Sequence, residues 1–205
     1  MKTAASIVCV VGLASAAVAV PVVPKTYTGQ GGALADSPTD GVPGVSMFSI
    51  NVPSDPDDTN EIFGFVDVRL DINHTWVGDL VVRLRHDETG TFATLIDRPG
   101  VPPGVVGNSD DLAGVYIFED GQTPIPENGG MGTITPGVYG PSGPGFLFFF
   151  EGESKVGTWT LIIEDHANGD TGTLNSWGFT INNVPAPGAA GVLALAGLAA
   201  ARRRR

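Results

Sequence analysis

The sequence predicts an all-β protein: an antiparallel jelly-roll β-sandwich of eight or nine strands, with an N-terminal signal helix and a C-terminal hydrophobic helix. Three observations lead to this prediction. Short apolar runs alternate with polar residues at the two-residue period of a β-strand. Glycine and proline, 29 and 16 residues in all, separate these runs at close spacing. The body of the chain lacks the 3.6-residue apolar period of an amphipathic helix.

Residues 1–19 have the layout of a secretory signal peptide. Lys2 supplies a charged start, an apolar run follows, and Ala17 and Ala19 form the small-x-small pattern of a cleavage site. The apolar run is shorter than the roughly 20 residues that a membrane-spanning helix needs. We therefore expect export, with cleavage after Ala19. Cys9, the only cysteine, is lost with this segment, so the body can form neither a disulfide nor a cysteine-based zinc site.

The exported body is strongly acidic. The chain has 11 Lys+Arg and 22 Asp+Glu, and five of the basic residues lie in the two terminal segments, which leaves the body a net charge of about −16. This charge repels the phosphates of DNA and RNA and so excludes nucleic acid as a partner. It suits an extracellular surface that is rich in divalent cations.

Residues 20–44 are rich in glycine and proline and are predicted to form a flexible N-terminal arm. Residues 45–183 are predicted to form the sandwich, one domain with room for a core. Residues 62–72 and 79–86 alternate most clearly between apolar and polar residues. In the strand at residues 62–72, Asp67, Arg69 and Asp71 are predicted to lie on the solvent-exposed face. The other predicted strands are SMFSINV (46–52), TFATLID (91–97), GVYIFED (114–120), GFLFFFEG (145–152), GTWTLIIED (157–165) and SWGFTIN (176–182).

One predicted strand does not alternate, and two others each carry a tryptophan. Residues 146–150 are all apolar, so we expect them to be buried on both faces or to lie beside a bulge. Trp159 and Trp177 are predicted to be core residues whose ring N–H groups find backbone acceptors.

Residues 184–205 form a tail of three parts: the stretch VPAP, an apolar Ala/Leu/Gly run, and four arginines. Terminal arginines favour the cytoplasmic side of a membrane, so the body would lie outside. The tail resembles the PEP-CTERM sorting signals of bacteria, which an exosortase-type enzyme processes. Val184, Pro185 and Pro187 match the Val-Pro-Glu-Pro motif of that signal, whereas Ala186 replaces its glutamate. The alternative is a plain membrane anchor; either way the protein is secreted or at the cell surface and transiently membrane-anchored.

Two long segments resemble the hallmark segments of the P domain, also called the P/Homo B domain, of the proprotein convertase family. They are HTWVGDLVVRL (residues 74–84) and GTWTLIIEDHANGDTGTLNSWGFTI (residues 157–181), and the order of the segments between them also agrees. The resemblance covers about residues 45–182. It implies a jelly-roll sandwich that stabilises or regulates a neighbouring protease domain and has no catalytic residues of its own.

No catalytic residue is predicted from the sequence itself. A triad of His74, Asp79 and a serine can be drawn, but nothing places a nucleophile beside a base, and the chain has no room for a subtilisin-type domain. His74, His86 and His166 are therefore interpreted as turn and strand-end residues.

The stretch EDHANGDTGTLNSWG, residues 164–178, has two interpretations. The first is a structured turn between two strands, because its Gly, Asp and Asn residues suit tight turns. The second is a Ca²⁺ site, since Ca²⁺ takes about six to eight oxygen ligands from irregular loops. The spacing of an EF-hand is absent. In the first interpretation Asp79 caps a loop through its carboxylate. The predicted calcium ligands are Asp79, Asp110, Asp111, Asp165, Asn168 and Asp170.

Three functions follow from these features. The first is a non-catalytic, surface-sorted module that binds or stabilises another exported protein or an envelope or matrix polysaccharide. A sorting or processing enzyme would act on it at residues 184–187. The second is an accessory domain of a serine-type endopeptidase system. The third is a carbohydrate-binding or adhesive sandwich; it would need exposed aromatic side chains, and most of those here lie on strand faces expected to be buried.

Overall fold

The structure is a computed structural model that describes residues 22–39, 41–102, 106–143 and 145–185. Both predicted terminal helices, the signal peptide and the tail beyond Pro185 lie outside the described residues. Within those residues the fold is all-β, as the alternation predicts: ten strands and two short 3-10 helices, with no α-helix. No helix of this part of the chain is long and apolar enough to span a membrane.

The strands form two sheets. The first sheet has the order β1-β10-β3-β6, and the short strands β7 and β8 both pair with β6; the second has the order β2-β9-β4-β5. All pairs are antiparallel except those of β7 and β8 with β6. The strands are β1 Val23–Ala33, β2 Gly44–Val52, β3 Asp58–His74, β4 Leu80–His86, β5 Phe92–Asp97, β6 Asp111–Phe118, β7 Thr133–Ile134, β8 Gly137–Tyr139, β9 Gly157–Asp165 and β10 Gly172–Pro185.

The alternation of β3 and β4 places their side chains as predicted. Val68, Leu70 and Ile72 are fully buried, while Arg69 between them is exposed. On β4 the apolar residues are likewise buried and both arginines are partly exposed. Each of these strands therefore contributes one apolar face to the space between the sheets.

An aromatic cluster fills that space. Trp159 of β9 and Phe179 of β10 lie 4.7 Å apart between ring centroids, and Phe65 and Phe150 pack against them. The Trp159 ring N–H donates to the Lys155 carbonyl oxygen at 2.9 Å, which confirms the predicted role of this residue.

Trp177 departs from the prediction in one respect. Its ring is buried, but its N–H has no hydrogen-bond acceptor among the described residues. Gly29 of the neighbouring strand β1 is paired with Trp177, and the indole lies against it: a Cβ added at Gly29 would lie 2.7 Å from Nε1 of Trp177.

The predicted flexible arm contains the first strand of the fold. Val23–Ala33 forms β1 and pairs along its length with β10. Its glycines allow close packing rather than flexibility, since a Cβ at Gly31 would lie 1.9 Å from the Leu174 carbonyl oxygen. Local composition cannot distinguish a flexible glycine from one that a neighbouring strand approaches closely.

The predicted strand at residues 145–152 is also wrong, because Leu147–Phe150 forms a 3-10 helix. Leu147 and Phe150, three residues apart, are fully buried, which matches the three-residue turn of this helix. Phe148 and Phe149 between them are exposed. Because all of these residues are apolar, the sequence pattern hid this period.

The two ends of the sandwich carry different features. At one end β3 and β9 finish and β4 and β10 begin; we call this the loop end, and it contains Asp79 and Asp165. At the other end β1 begins and β10 finishes, so the first and the last described residues lie there. We call this the terminal end.

We expect Phe179→Ala to lower the free energy of unfolding by about 3–5 kcal/mol, because it empties space in the centre of the aromatic cluster. Phe149→Ala removes a ring of the same size from an exposed position and should change it by only about 0.5 kcal/mol. Urea unfolding followed by circular dichroism measures both. Equal effects of the two substitutions would contradict this description of the core.

Candidate functional site

Two of the predicted calcium ligands meet at the loop end although they are distant in sequence. Asp79 is the last residue of the 3-10 helix Val77–Asp79, directly before β4, and Asp165 is the last residue of β9. The strand register pairs Leu80 with Asp165. The backbone N–H of His166 donates to the Asp79 carbonyl oxygen at 2.9 Å. Strand pairing therefore holds the two aspartates side by side.

Asp165 is engaged by protein atoms. Its Oδ2 lies 3.1 Å from Nε2 of His74, and both side chains are almost completely buried. Its Oδ1 accepts a hydrogen bond from the Ala167 N–H at 3.2 Å. Because His74 ends β3 in one sheet and Asp165 ends β9 in the other, this contact ties the two sheets together. The interpretation of His74 as a simple turn residue missed this role.

Asp79 is buried without a partner. The residue is only 2% exposed, and its carboxylate accepts no hydrogen bond from any described residue, so it does not cap a loop as expected. Burial, followed by the negative charges of Asp165 and Asp170, raises the pKa of Asp79 to about 7; His74 and Arg98 oppose this shift only in part. A buried carboxylate in this state favours either a proton or a cation.

Asp79 faces a polar cavity of about 410 Å³. Asp170 lines the same cavity, as does Trp76, whose left-handed backbone (φ 80°) begins the 3-10 helix that carries Asp79. Arg98 also lines it, with its Nε donating to the Gly78 carbonyl oxygen at 3.2 Å. The full lining is Gly41, Trp76, Asp79, Arg98, Val106, His166, Ala167, Asn168 and Asp170. Trp76 and Arg98 were not predicted as site residues, although Trp76 lies three positions before Asp79.

The stretch that follows β9 is a structured turn, as its first interpretation holds. The Asn168 side-chain amide donates to the Ser37 carbonyl oxygen at 2.7 Å. The Gly169 N–H donates to the Asp36 carboxylate at 3.2 Å. The connection between β1 and β2 thus fastens this turn over the cavity.

The other two predicted ligands have different contacts. Oδ1 of Asp110 accepts hydrogen bonds from the backbone N–H groups of Gly130 and Gly132, at 2.8 and 2.7 Å, and so holds a separate loop. Asp111 accepts one from the Trp76 N–H at 3.3 Å and lines a neighbouring cavity with His74. Neither lines the cavity of Asp79.

The donor set of the Asp79 cavity suits a weakly held hard cation. Two of its lining residues are aspartates, Asp79 and Asp170, and the described chain contains no group of three or more His, Cys, Asp or Glu side chains placed to hold a metal. A zinc-type site is therefore not formed by these residues. Ca²⁺ can complete such a shell with amide and carbonyl oxygens and water, and few carboxylates mean low affinity. The unpartnered carboxylate of Asp79 is what makes the cavity fit a cation.

The described residues show no Ser–His–Asp arrangement. His74 contacts Asp165, and Nε2 of His166 lies 3.0 Å from Oε2 of Glu164. A hydroxyl near an imidazole occurs at Thr89, 3.2 Å from Nδ1 of His86. That imidazole is buried and stacks on Trp159 at 4.5 Å, which leaves no cleft for a substrate.

Residues 146–181 match the sequence profile of the proprotein convertase P-domain. Two curated proteins are similar to this chain, and both are named calcium-dependent protease. The protein of Trichormus variabilis is 32% identical over 113 residues, which are 54% of this chain and 13% of that protein. The protein of a Nostoc species is 31% identical over 113 residues, with the same shares of 54% and 13%.

This chain therefore spans about 13% of the length of the curated relatives that it matches. A structure described as the crystal structure of the serine protease of Aeromonas sobria aligns over 80% of this chain and 27% of that chain, with 17% identity and a TM-score of 0.42.

We expect the stability of the metal-free protein to fall as the pH rises from about 4 to about 7. The pKa of Asp79 in the folded state, about 7, lies above its ordinary value of 3.8, so the folded state binds the proton more tightly. The stabilisation is complete below the ordinary pKa and is lost as the pH passes the folded-state pKa, with a total of up to about 4 kcal/mol.

Asp79→Asn should remove this part of the pH dependence and should be more stable than the wild type at pH 8. Urea unfolding in EGTA at several pH values measures both proteins. If they show parallel pH profiles, the Asp79 carboxylate is not the group that titrates.

Proposed function

We propose that this chain is an exported, non-catalytic module similar to the P domain, with the jelly-roll topology which that resemblance implies, and that it serves a protease system as an accessory domain. One observation carries the proposal. The matched residues 146–181 include β9 and most of β10, each of which lies between two neighbouring strands of its sheet. The match thus falls on the centre of the fold rather than on an appended segment.

The contacts of the histidines support the non-catalytic part of this proposal. A serine-type peptidase needs an imidazole that can take a proton from a nucleophile at the surface. Nε2 of His74 contacts the buried Asp165 instead, and no described hydroxyl hydrogen-bonds its ring. An accessory domain needs no such imidazole. It needs a stable fold that presents a surface to its partner, and the buried aromatic cluster stabilises this fold.

We further propose that Ca²⁺ binds in the cavity of Asp79 and Asp170. The buried carboxylate of Asp79 lacks a partner, and the cavity has room for an ion with its water ligands. The name calcium-dependent protease, borne by both curated relatives, agrees with such a site. Asn168 lines the same cavity. Asp165 does not line it; its carboxylate contacts His74 and accepts a hydrogen bond from the Ala167 N–H in the turn.

The module would act outside the cell. The predicted signal peptide would direct export, and residues 184–205 would hold the chain in the membrane until an enzyme acts at the stretch VPAP. The partner would be another exported protein or an envelope polysaccharide.

A calcium titration tests the proposed cation site. With Ca²⁺ at about 100 times its dissociation constant, the free energy of unfolding of the wild type should rise by about 2.7 kcal/mol over its value in EGTA. Asp79→Asn and Asp170→Asn should each lose most of this increment, because each removes one of the two carboxylates. Thermal unfolding followed by circular dichroism gives the comparison.

Asp57→Asn is the matched control, since Asp57 is an exposed aspartate at the terminal end. It should keep the full calcium increment. Asp79→Asn is informative because it should be stable in EGTA, so a lost increment cannot come from unfolding. An unchanged wild-type melting temperature with and without Ca²⁺ would refute the site.

A gene deletion tests the accessory function. Removal of this chain from its source organism should lower extracellular hydrolysis of casein, and addition of the purified chain should restore it. The purified chain alone should hydrolyse no casein and should not react with a serine-hydrolase probe. Labelling by the probe would overturn the non-catalytic part, and full protease activity in the deletion strain would overturn the accessory part.

A further inference from the structure

Three phenylalanine rings form an exposed cluster on the 3-10 helix Leu147–Phe150 and the residue before it. Phe146, Phe148 and Phe149 are 44%, 50% and 49% exposed. Their ring centroids lie 4.6 to 6.0 Å apart, so each ring contacts the other two. We call these three residues the phenylalanine surface. A contiguous apolar surface of this kind is typical of an interaction site rather than of scattered surface residues.

The phenylalanine surface is held rigidly. The carboxylate of Asp120 accepts hydrogen bonds from the backbone N–H groups of Leu147 and Phe148, at 3.1 and 2.8 Å. Leu147 and Phe150 are fully buried and anchor the same turn in the core. The three exposed rings therefore project from a fixed backbone.

The surface lies at the terminal end, where the C-terminal tail leaves the fold. Gly152 and Glu153, just after the 3-10 helix, exchange backbone hydrogen bonds with Ile62 of β3. Pro185, the last described residue, pairs with Asp58 of the same strand. At about 3.3 Å per residue, the four-residue step from Asp58 to Ile62 along β3 spans about 13 Å.

We propose that the phenylalanine surface rests in the interface of the lipid bilayer in which the C-terminal tail is anchored. This inference rests on the proposed membrane anchorage. Beyond Pro185 the chain has twenty further residues, an apolar run and four arginines. A tail inserted there brings the terminal end against the bilayer, and phenylalanine side chains partition favourably into the headgroup and acyl boundary.

The charge of the terminal end determines which lipid it accepts. Asp55 and Asp58 at this end are paired with Lys25 and Lys155. Asp57, Glu61 and Glu151, around the start of β3 and the end of the 3-10 helix, are exposed and form no salt bridge with any described residue. These carboxylates repel an anionic headgroup layer. The surface therefore fits zwitterionic headgroups, and its contact with the bilayer should weaken as anionic lipid is added.

The ring geometry favours a bilayer over a polysaccharide. Sugars stack on open aromatic faces, but Phe146 and Phe148 stack on each other at an interplanar angle of 11°. Phe149 packs edge-on against Phe148 at 75°. Because the rings pack against one another, part of each ring face is taken up by a neighbouring ring rather than open to a sugar.

An added tryptophan can report contact with the bilayer. Trp159 and Trp177 are buried and Trp76 lies at the loop end, so Phe148→Trp places a new indole at the exposed site. The chain with its tail is reconstituted into phosphatidylcholine vesicles whose acyl chains carry bromine. We expect the emission of the added indole to shift to the blue and to be quenched. Phosphatidylglycerol in the vesicles should reduce the quenching.

Met47→Trp is the matched control, because Met47 is 59% exposed but lies on β2, away from the phenylalanine surface. Its indole should not be quenched. Phe146→Ser and Phe149→Ser in the Phe148→Trp chain should abolish the quenching while the chain still floats with the vesicles.

Three results would overturn the proposal, and they are distinguishable. A chain that does not float with vesicles refutes the anchorage and the surface together. A chain that floats without quenching at position 148 refutes the surface alone. A blue shift at position 148 that occurs without vesicles and grows with protein concentration would show that a second copy of the chain covers the rings instead.

Discussion

The packing of Trp159 against Phe179 holds the two sheets of this protein together. Each ring comes from a strand that lies between two neighbours in its sheet, and the rings meet 4.7 Å apart midway between the sheets. Because β9 and β10 follow each other in the chain, this contact closes the sandwich across a short turn. The two strands also connect most of the others, since β9 pairs with β2 and β4, and β10 pairs with β1 and β3. A protein without disulfides in its body relies on such packing for its stability.

The same closure produces the polar site at the loop end. Once β9 and β4 are in register, Asp165 and Asp79 must lie next to each other, and the hydrogen bond between Asp165 and His74 fastens β3 to them. The fold thereby buries Asp79 beside the cavity, with no hydrogen-bond donor to its carboxylate among the described residues. Burial of such a group is unfavourable unless a proton or a cation neutralises it. This balance is what makes the site a candidate for Ca²⁺ rather than a satisfied part of the core.

The sandwich separates two surfaces by the length of its strands. The loop end carries the cavity and its carboxylates, while the terminal end carries both chain ends and the phenylalanine surface. A domain held by its C-terminal end would therefore point the cavity away from its attachment. In this arrangement a bound cation would stiffen the free end, where a partner protein could approach.

The alternation of apolar and polar residues is enough to predict the class of the fold and the inward faces of its strands. Successive side chains of a strand point to opposite faces, so the burial of Val68, Leu70 and Ile72 follows from their spacing alone. The sequence also placed most of the candidate site, since Asp79, Asp165 and Asp170 stand in its two longest motifs.

Which groups meet depends instead on contacts between strands that are distant in the sequence. By its composition the segment around Gly31 is predicted to be flexible, but Leu174 of β10 packs closely against this glycine. The run of phenylalanines has no period in the sequence, yet only Leu147 and Phe150 of the 3-10 helix are buried in the core. Likewise, Asp110 and Asp79 are both loop aspartates by sequence. In the fold, two backbone N–H groups of the loop at residues 130–132 donate hydrogen bonds to the Asp110 carboxylate. No described group donates one to the carboxylate of Asp79, which is buried. Strand register and close approach depend on residues far apart in the chain, and local sequence patterns carry no record of them.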